Sequence, residues 1–455
     1  MNRNEAAGGV RERPVSVIIV GAGSRSMNYA SYSRKHPERM RIAGVVEPNP
    51  QRREHTAKTY DIPEEMTFSS VEELALRPKL ADAVMNGTMD DLHVSTSLPL
   101  LRIGYDLLLE KPIGVSEDEV TELYRTAREH GNKVMICHVL RYAPFYTELK
   151  RAIESGAIGE IVHIQTEENV DFHHMATAFV RGKFANQARS GSSFLMQKCC
   201  HDLDLIAWFQ SGTRPVRVSS YGSLLQFRES RAPAGSGTRC LTDCRIEADC
   251  VYSAKKLYVD RPLWGAYVWP RYLDGVRLSD REKLESLGTD NPFGRCVWRC
   301  DNDIVDHQAV MIEFEDGSTA VHNLVGATAK ACRTVHITGT KGEIQGVLED
   351  GAFVVRRPSL TDGGGTFREE RVEISVSNDM HGGGDHRLVE DFVRVVRGDE
   401  KASFSASLDH SIVGHLVGFR ADRSMASGRS MSFDWSALTS TPRTPKANGE
   451  PFPSE

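Results

Sequence analysis

The strongest indication of the fold is a glycine-containing turn that comes directly after an apolar run. The run Val15–Val20 has the length and composition of a buried strand, and the next residues read Gly-Ala-Gly-Ser-Arg. In a βαβ unit the first glycine permits a tight turn, and the second lets the backbone approach a dinucleotide pyrophosphate at the next helix N-terminus. Because Ser26 stands where the third glycine of this fingerprint belongs, a purely structural turn remains an alternative.

Similar apolar runs recur over the first 140 residues, with helical patterns between them. The predicted strands are Val15–Val20, Ile42–Val46, Ala83–Met85, Leu107–Leu109 and Val134–Ile136. A helix is predicted over 116–130, since Ser116 and Glu119 have capping-box spacing and apolar residues mark one face. Strands that alternate with helices in this way predict a doubly wound parallel sheet.

A carboxylate closes the second predicted strand. Glu47 lies 21 positions after Ser26, where an acidic residue accepts hydrogen bonds from the adenosine ribose hydroxyls. This carboxylate would repel a 2′-phosphate, so the sequence favours NAD over NADP. Arg52 and Arg53 lie nearby and could bind the 2′-phosphate, so NADP remains an alternative. Their better interpretation is as solvated residues on the exposed face of a helix.

The pattern changes after residue 140. A helix is predicted over Phe145–Ser155, with strands at Ile161–Ile164, Val216–Ser220, Ala309–Phe314, Thr319–Val325 and Val335–Thr338. The predicted fold class is therefore α/β, with an N-terminal Rossmann sheet and a C-terminal α+β domain whose sheet is open and mostly antiparallel. The expected order is a flexible N-terminus (1–13), the NAD-binding domain (14–140), a substrate and oligomerisation domain (141–435) with an irregular insertion at about 228–305, and a disordered tail (436–455).

Composition limits the class of partner. The 455 residues carry a net charge of -6, which argues against nucleic acid or anionic membrane as the main partner. No apolar run approaches the roughly 18 residues that span a bilayer, and no signal peptide is recognisable, so a cytoplasmic location is expected. Nine cysteines in a chain of this length do not indicate a disulfide framework.

Three further motifs carry a family resemblance. They are Glu110-Lys111-Pro112, the segment Thr88–His93, and His201-Asp202-Leu203-Asp204. With the glycine turn, they make residues 14–435 resemble the family of glucose-fructose oxidoreductase, inositol dehydrogenase and MocA (Gfo/Idh/MocA). The resemblance implies a tightly held nicotinamide, a sugar-like substrate between the cofactor and the second domain, and a homo-oligomer, dimer or tetramer, formed through the open sheet.

The resemblance also implies roles for particular residues. Lys111 matches the lysine that hydrogen-bonds the reacting hydroxyl, Pro112 is expected to be cis, and His201 matches the histidine that takes the hydroxyl proton. Gln197 stands where the family often has an aspartate, and Lys198 is a substitute for it. The predicted catalytic residues are Lys111, His201, Lys198 and Tyr142. The predicted cofactor-binding residues are Gly21, Gly23, Ser24, Arg25, Glu47, Thr88, His93, Glu110 and Lys111.

A narrower resemblance concerns residues 173–182, 198–202 and 381–385. These segments are similar to a bacterial subgroup encoded among sugar-utilisation enzymes, and the wider family includes glycosidases that use NAD transiently. A redox-neutral hydrolysis needs a second acid or base, for which Lys198, His173, His174, Tyr142 and His381 are candidates. Each of them could equally be a packed or hydrated side chain. The leading hypothesis is NAD-dependent oxidation of a ring carbinol that serves glycoside hydrolysis; a simple sugar or polyol dehydrogenase and a non-catalytic NAD-binding regulator are the alternatives.

Two cations flank Gly182 on a predicted loop. Arg181 and Lys183 would suit an anionic sugar group, as in a sulfoquinovoside, although loop arginines more often make structural hydrogen bonds. The predicted substrate-binding residues are Arg141, His173, His174, Arg181, Lys183, Asp202 and His381.

The cysteines of the insertion are spaced as possible metal ligands. Cys240, Cys244 and Cys250 follow one another closely, and Cys296 and Cys300 come later. Thiolate zinc sites usually have two to four residues between paired ligands, so a structural zinc at the first three is one reading. Free buried thiols are the other.

Overall fold

A six-stranded parallel sheet forms the first half of the protein. The computed structural model describes residues 13–269, 277–360, 365–375, 380–403 and 405–436. The strands of this sheet are β1 (Val15–Val20), β2 (Met40–Val46), β3 (Thr67–Phe68), β4 (Ala83–Asn86), β5 (Asp106–Leu109) and β6 (Val134–Ile136). Their order is β3-β2-β1-β4-β5-β6, with parallel pairing throughout. The predicted Rossmann sheet is confirmed.

The helices of this half are α1 (Ser24–Ala30), α2 (Tyr32–Lys35), α3 (Pro50–Thr59), α4 (Val71–Ala75), α5 (His93–Arg102) and α6 (Glu117–His130). The predicted helix α6 begins where its sequence indicates. Ser116 is the N-cap, and its hydroxyl accepts a hydrogen bond from the Glu119 amide at 3.2 Å. The helix ends at Gly131, whose φ of 69° is the left-handed conformation that glycine adopts readily.

A nine-stranded mixed sheet forms the second half. Its strands are β7 (Ile161–Asp171), β8 (Pro215–Ser223), β9 (His307–Phe314), β10 (Thr319–Thr328), β11 (Cys332–Gly339), β12 (Glu343–Val347), β13 (Ala352–Pro358), β14 (Phe367–Glu373) and β15 (Met431–Ser432). The order is β14-β13-β12-β11-β7-β10-β9-β8-β15, and only the β10–β7 pair is parallel. The prediction of a mostly antiparallel sheet is confirmed.

The remaining helices are α7 (Pro144–Glu154), α8 (Phe172–His174), α9 (Gln187–Ser190), α10 (Phe194–Phe209), α11 (Gly265–Val268), α12 (Asp280–Gly288), α13 (Gly384–Arg397) and α14 (Leu408–Ser427), with π-helical turns at Met175–Arg181 and Lys256–Asp260. The helices α13 and α14 pack on the first sheet from opposite sides. Leu388 and Phe392 of α13 join the core on one face, and Ile412 and Leu416 of α14 join the core on the other. The first domain thus takes part of its core from residues beyond 380. The predicted single boundary at residue 140 does not include this return of the chain to the first domain.

Strand β7 is longer than its apolar run predicted. Its inward positions after Ile164 hold Thr166, Glu168 and Val170, so the alternation continues with polar residues. Thr166 hydrogen-bonds the His322 ring at 2.9 Å, and Glu168 forms ion pairs. Partners on neighbouring elements compensate for the burial of these polar groups, which hydrophobic periodicity alone does not reveal.

The insertion consists of short helices and turns in its described residues. They surround a small core of Cys240, Ala254, Leu257, Tyr258, Val268, Trp269, Leu287 and Phe293. The predicted flexible N-terminus and disordered tail lie outside the described residues, apart from Arg13 and Ser436. In the part of the chain that the structure describes, no helix has both the length and the apolar character needed to cross a membrane.

Candidate active site

The glycine turn after β1 has the geometry of a dinucleotide site. Gly21 has a φ of 78°, and a Cβ there would lie 3.1 Å from the Gly87 carbonyl oxygen and from the Thr88 Cα. Gly23 is the N-cap of α1, and a Cβ on Gly23 would meet nothing closer than 3.9 Å. Ser24 is the first residue of α1 and is exposed beside this turn. The turn therefore leaves its backbone open on the side where a pyrophosphate would approach.

A glycine that follows the neighbouring strand β4 compensates for the missing third glycine. A Cβ on Gly87 would lie 2.2 Å from the Ser26 hydroxyl oxygen, so the glycine at position 87 makes room for the serine. The third glycine of the fingerprint serves close packing of helix against strand. Here Gly87, just beyond β4, provides that space, and it was not predicted from the sequence.

Glu47 is buried and holds the glycine turn in place. Its Oε2 accepts a hydrogen bond from the Ala22 amide at 2.9 Å, and its Oε1 accepts one from the Asn49 amide at 2.9 Å. The Arg52 Nε lies 3.9 Å from Oε1. The carboxylate thus lies beside the turn, at the end of β2, where the sequence placed it.

Arg25 was predicted to bind the cofactor, but in the structure its guanidinium joins two carboxylates. Its Nε donates to Glu110 at 2.8 Å, and one terminal nitrogen donates to Asp385 at 2.6 Å. The hydroxyl of Tyr29, a residue the sequence analysis missed, also donates to Glu110 at 2.7 Å. Burial opposes ionisation of Glu110, but Arg25 and Lys111 outweigh it and hold its pKa at about 2.

Lys111 stands at the end of β5, and the Lys111–Pro112 peptide bond is cis, as expected. Its backbone amide donates to Glu110 at 2.7 Å, and its ammonium donates to the Gln197 carbonyl oxygen at 2.8 Å. An ammonium has three donors, so two remain for other groups. Within the described residues, no carboxylate lies within 4.0 Å of this ammonium.

The predicted cofactor residues Thr88 and His93 support this region. The Thr88 hydroxyl donates to the side chain of Asn86 at 2.9 Å, and Thr88 lies against Gly21. His93 is buried, and its Nδ1 donates to the Pro112 carbonyl oxygen at 2.6 Å. His93 thereby fixes the position of the Lys-Pro segment.

His201 lies on α10, close to Lys111 and His381. The ring centroids of His201 and His381 are 5.7 Å apart, and the His381 Nδ1 is 3.4 Å from Asp385. Burial lowers the pKa of His201 well below its usual value, and the charges of Lys111 and His381 lower it further. The imidazole is therefore neutral near pH 7 and can accept a proton.

Lys198 and Asp202 of α10 form ion pairs with the second sheet. Lys198 is 2.9 Å from Glu168, and Arg333 of β11 is 2.8 Å from Glu168 and 3.0 Å from Asp202. Lys198 remains partly exposed and so can reach a ligand, whereas Asp202 is buried against Arg333. The sequence analysis missed Arg333. An arginine within a strand of alternating apolar residues can indicate a buried ion pair, and that signal could have identified it.

His173 and His174 lie at the start of the segment that joins β7 to the insertion. The His173 Nδ1 lies 2.9 Å from the Asp171 Oδ1 and 3.2 Å from the Trp264 indole nitrogen, two contacts that require opposite protonation of this atom. Partial burial, with the nearby charge of Lys198, lowers the pKa of His174 to about 2. Both rings are half-buried beside Trp264, a residue of the insertion that the sequence analysis did not single out.

Tyr142 and Arg141 belong to the scaffold, which corrects two predictions. Tyr142, predicted as catalytic, is buried, and its hydroxyl donates to Asp391 at 2.7 Å. Arg141, predicted to bind substrate, is buried and donates twice to Asp204, at 2.6 and 2.7 Å. Burial opposes ionisation of Asp204, but Arg141 and His138 hold its pKa at about 2. Paired in this way, neither side chain is available to a substrate.

Arg181 is a third correction. It does not lie on a loop but ends the π-helical turn, and it is 2% exposed. Its guanidinium donates to the backbone carbonyl oxygens of Arg295 and Tyr252, both at 2.7 Å. Arg181 therefore anchors the insertion and does not face a substrate.

Lys183, by contrast, is exposed. Desolvation of its ammonium nevertheless lowers the pKa of Lys183; Asp90 opposes this shift, and the charge of Lys111 adds to it. Its Nζ lies 3.8 Å from the Met89 sulfur. Among the described residues no carboxylate lies within 4.0 Å of its Nζ, so Asp90 acts on this ammonium only from a greater distance.

The insertion cysteines surround one small cavity. Cys240, Cys244, Cys250 and Cys296 line it, and all of them are free thiols. Within the described residues, sets of three ligand atoms mutually within 4.8 Å occur elsewhere, at His138–Cys200–His415 and at Cys199–Asp202–His322. The cysteines of the insertion are spaced more widely than those two groups.

Comparison with known proteins places this chain among NAD-binding oxidoreductases. Residues 15–138 match the sequence model of an oxidoreductase family with an NAD-binding Rossmann fold, and residues 146–246 match the GFO/IDH/MocA C-terminal domain. The chain is 24% identical over 395 residues to YteT of Bacillus subtilis, an oxidoreductase by name, covering 83% of this chain and 88% of YteT.

Two further proteins show a more partial or more distant similarity. Inositol 2-dehydrogenase of Corynebacterium glutamicum is 22% identical over 207 residues, which are 45% of this chain and 57% of that enzyme. The WlbA dehydrogenase of Bordetella pertussis, solved with NADH and UDP-GlcNAcA, superposes with a TM-score of 0.61 at 14% identity, covering 93% of this chain and 99% of WlbA. The second likeness is one of fold.

Proposed function

The chain belongs to the Gfo/Idh/MocA family of NAD-binding oxidoreductases, and from this premise we propose that it oxidises a carbinol of an anionic sugar. The observation that carries the proposal is the position of Lys111. Its ammonium lies at the carboxyl end of β5, where ligands bind in parallel sheets, with two donors unused and no carboxylate within 4.0 Å in the described residues. An ammonium in this state stabilises negative charge that develops on a substrate oxygen.

The glycine turn, Glu47 and the neighbourhood of Lys111 fit NAD. Gly21 and Gly23 leave room for a pyrophosphate, and the Glu47 carboxylate lies beside the turn, in the position that favours a ribose diol over a 2′-phosphate. Bound NAD would supply the hydride acceptor. The chain would hold it through Gly21, Gly23, Ser24, Glu47 and Thr88, while Arg25, His93 and Glu110 fix the surrounding backbone and side chains.

His201 is the proposed proton acceptor. The hydroxyl proton leaves the substrate as the C–H bond breaks, and a neutral imidazole next to the Lys111 ammonium can receive it. The proton can pass on to His381, whose ring neighbours that of His201 and whose Nδ1 faces the Asp385 carboxylate. Asp385 would thus supply the carboxylate that Gln197 lacks.

The preference for an anionic sugar rests on Lys183. Since Arg181 is committed to the insertion, Lys183 is the exposed cation near Lys111 that we propose for binding a carboxylate or sulfonate. Desolvation and the charge of Lys111 disfavour the Lys183 ammonium, Asp90 favours it, and a bound anion would stabilise it further. A sulfoquinovoside has such a group.

Redox-neutral glycoside hydrolysis is the second candidate, favoured by the position of Lys198. Once the carbinol is a ketone, the proton on the adjacent carbon is acidic; a base removes it, the glycosidic oxygen leaves with a proton, water adds to the double bond, and the ketone is reduced again. Lys198 is partly exposed one residue after Gln197, which Lys111 contacts, and as an ammonium paired with Glu168 it is a candidate for the acid that protonates the leaving oxygen. His173, which is half-buried, is the candidate for the base that removes the proton from carbon.

A substrate panel separates these functions. Purified protein with NAD is offered nitrophenyl glycosides and free sugars, each as a neutral and an anionic member, while NADH absorbance and nitrophenol release are recorded. Formation of one NADH per substrate molecule oxidised supports a dehydrogenase. Release of nitrophenol without net formation of NADH supports hydrolysis. If neither NADH absorbance nor nitrophenol release changes although NAD is bound, the result would favour a regulator and contradict the proposal.

The preference for an anionic substrate is tested with a variant of Lys183. Lys183→Met should raise KM about tenfold for the anionic members only. Lys341→Met, on the second sheet away from Lys111, is the matched control.

Self-association through the second sheet is proposed as well. Tyr221 and Met311 are 74% and 58% exposed on the same outward face of β8 and β9. A second copy would cover these apolar side chains. Light scattering should then give a dimer or larger, and Tyr221→Arg with Met311→Arg should shift the mass toward the monomer.

A further inference from the structure

Four cysteines from two distant stretches of the insertion converge on one cavity. Cys240, Cys244, Cys250 and Cys296 line a cavity of about 10 Å³, enough for a single water-sized sphere. Backbone hydrogen bonds hold the two stretches together: the Cys240 amide donates to Gly294 at 3.0 Å, and the Cys296 amide donates to Thr238 at 2.8 Å. The backbone of the two stretches therefore holds the four cysteines near one another, whatever their side-chain rotamers.

A buried cation next to this cavity has no carboxylate partner. Arg181 is 2% exposed and also lines the cavity, with one terminal nitrogen 3.5 Å from the Cys240 sulfur. Its other hydrogen bonds go to backbone carbonyl oxygens and to the Tyr258 hydroxyl, which are neutral acceptors. In the described residues no carboxylate lies within 4.0 Å of it. Glu247 also lines the cavity, and its Oε1 accepts a hydrogen bond from the Ser253 hydroxyl. A buried charge without a close partner is costly, so a further anionic group in the cavity would stabilise the guanidinium.

The insertion has only a small core of its own, although Tyr252 and Val297 join the main core of the second domain. Its core consists of eight buried side chains, and its described residues contribute short helices, turns and one isolated bridge between Arg239 and Arg295. Segments with so small a core commonly need a covalent or metal cross-link to adopt one structure.

We propose that the insertion binds a structural Zn²⁺ through the sulfur atoms of Cys240, Cys244, Cys250 and Cys296. Binding would release the four thiol protons to solvent and draw the sulfurs in to about 2.3 Å from the ion. A zinc with four thiolates carries a net charge of −2, and the Arg181 guanidinium beside Cys240 offsets part of it. Four thiolates leave no open position, so this zinc is structural and separate from the redox site.

Metal analysis of the intact chain tests the proposal. The full-length protein is produced in zinc-supplemented medium, purified without chelators and analysed by mass spectrometry of its metals. About one zinc per chain is expected, and Cys296→Ser or Cys250→Ser should lower that content at least about fivefold. Cys332→Ser, on β11 of the second sheet, is the matched control and should retain the metal.

Substitution with Co²⁺ provides a readout that does not require a variant. Four-thiolate cobalt should give intense thiolate-to-metal absorption, and a mercurial reagent should release one metal ion per chain as the thiols react. A zinc-free wild-type protein, iron in place of zinc, disulfides between these cysteines, or full zinc content in Cys296→Ser would each overturn the proposal. NAD binding should be retained in the zinc-depleted protein. Metal content therefore tests the zinc proposal, whereas NADH formation tests the redox proposal, and either can fail without the other.

Discussion

Two neighbouring groups of titratable side chains differ in how completely they are paired. The first, which we call the crevice cluster, consists of Lys111, Lys183, His201 and His381. The second, the buried network, consists of His138, Arg141, Tyr142, Asp204 and Asp391. Arg141 and His138 share the Asp204 carboxylate, and Tyr142 donates to Asp391. The two ammonium groups of the crevice cluster have no carboxylate within 4.0 Å among the described residues.

The difference separates groups that bind ligands from groups that hold the fold. A buried ion whose partner is fixed by two short hydrogen bonds cannot turn toward a substrate without leaving that partner unsolvated. An ammonium that uses one donor on a backbone carbonyl oxygen keeps its charge available. Pairing, more than residue type, therefore decides which of the predicted site residues are candidates for chemistry.

The largest expected effect comes from breaking the buried network. Arg141→Met would leave Asp204 buried without its guanidinium, and we expect the free energy of unfolding to fall by about 3–5 kcal/mol. Denaturant titration measures this loss. The control is Arg151→Met, because Arg151 pairs with Glu148 on an exposed surface and should contribute less than about 1 kcal/mol. Equal losses in both variants would remove the distinction between the two groups.

The next effect concerns the crevice cluster. Lys111→Ala should lower kcat for carbinol oxidation by about 10²–10³-fold, since the charge that stabilises the developing alkoxide is lost. Stability and NAD affinity should change little, as measured by thermal unfolding and by fluorescence titration with NAD. Lys79→Ala is a suitable control, because its ammonium contacts the Gly104 carbonyl oxygen on the exposed surface. Full activity in Lys111→Ala would refute the assignment of the reactive ammonium.

The smallest effect is a displacement of the pH profile. His201 must be neutral to accept a proton, and burial together with Lys111 and His381 lowers its pKa well below 6.5. The neutral form therefore persists as the pH falls through 6.5, and kcat/KM should decline only at lower pH. In Lys111→Met, the removal of a nearby positive charge should move this acid limb to higher pH. An acid limb above pH 6.5 in the wild-type protein would contradict the proposed role.

Much of the fold follows from local sequence, and less of the site does. The strands β1 and β6 match their predicted bounds, and the Lys111–Pro112 bond is cis as the resemblance implied. Gly87, Arg333 and Trp264 were missed, because each matters through a residue distant in the chain. Arg181 was assigned to a loop and an anionic substrate, yet its acceptor on Arg295 lies 114 positions away.

The sequence by itself determined five strands of the six-stranded sheet, five of the nine-stranded sheet, the glycine turn, and the placement of Lys111 at a strand end, because apolar periodicity and turn chemistry are local properties. Only the tertiary structure decided which charged groups are paired. Arg141 meets Asp204 across 63 positions and Tyr142 meets Asp391 across 249, so no local pattern could distinguish them from Lys111. A side chain's pKa and its access to a ligand depend on these long-range neighbours, which exist only once the chain has folded.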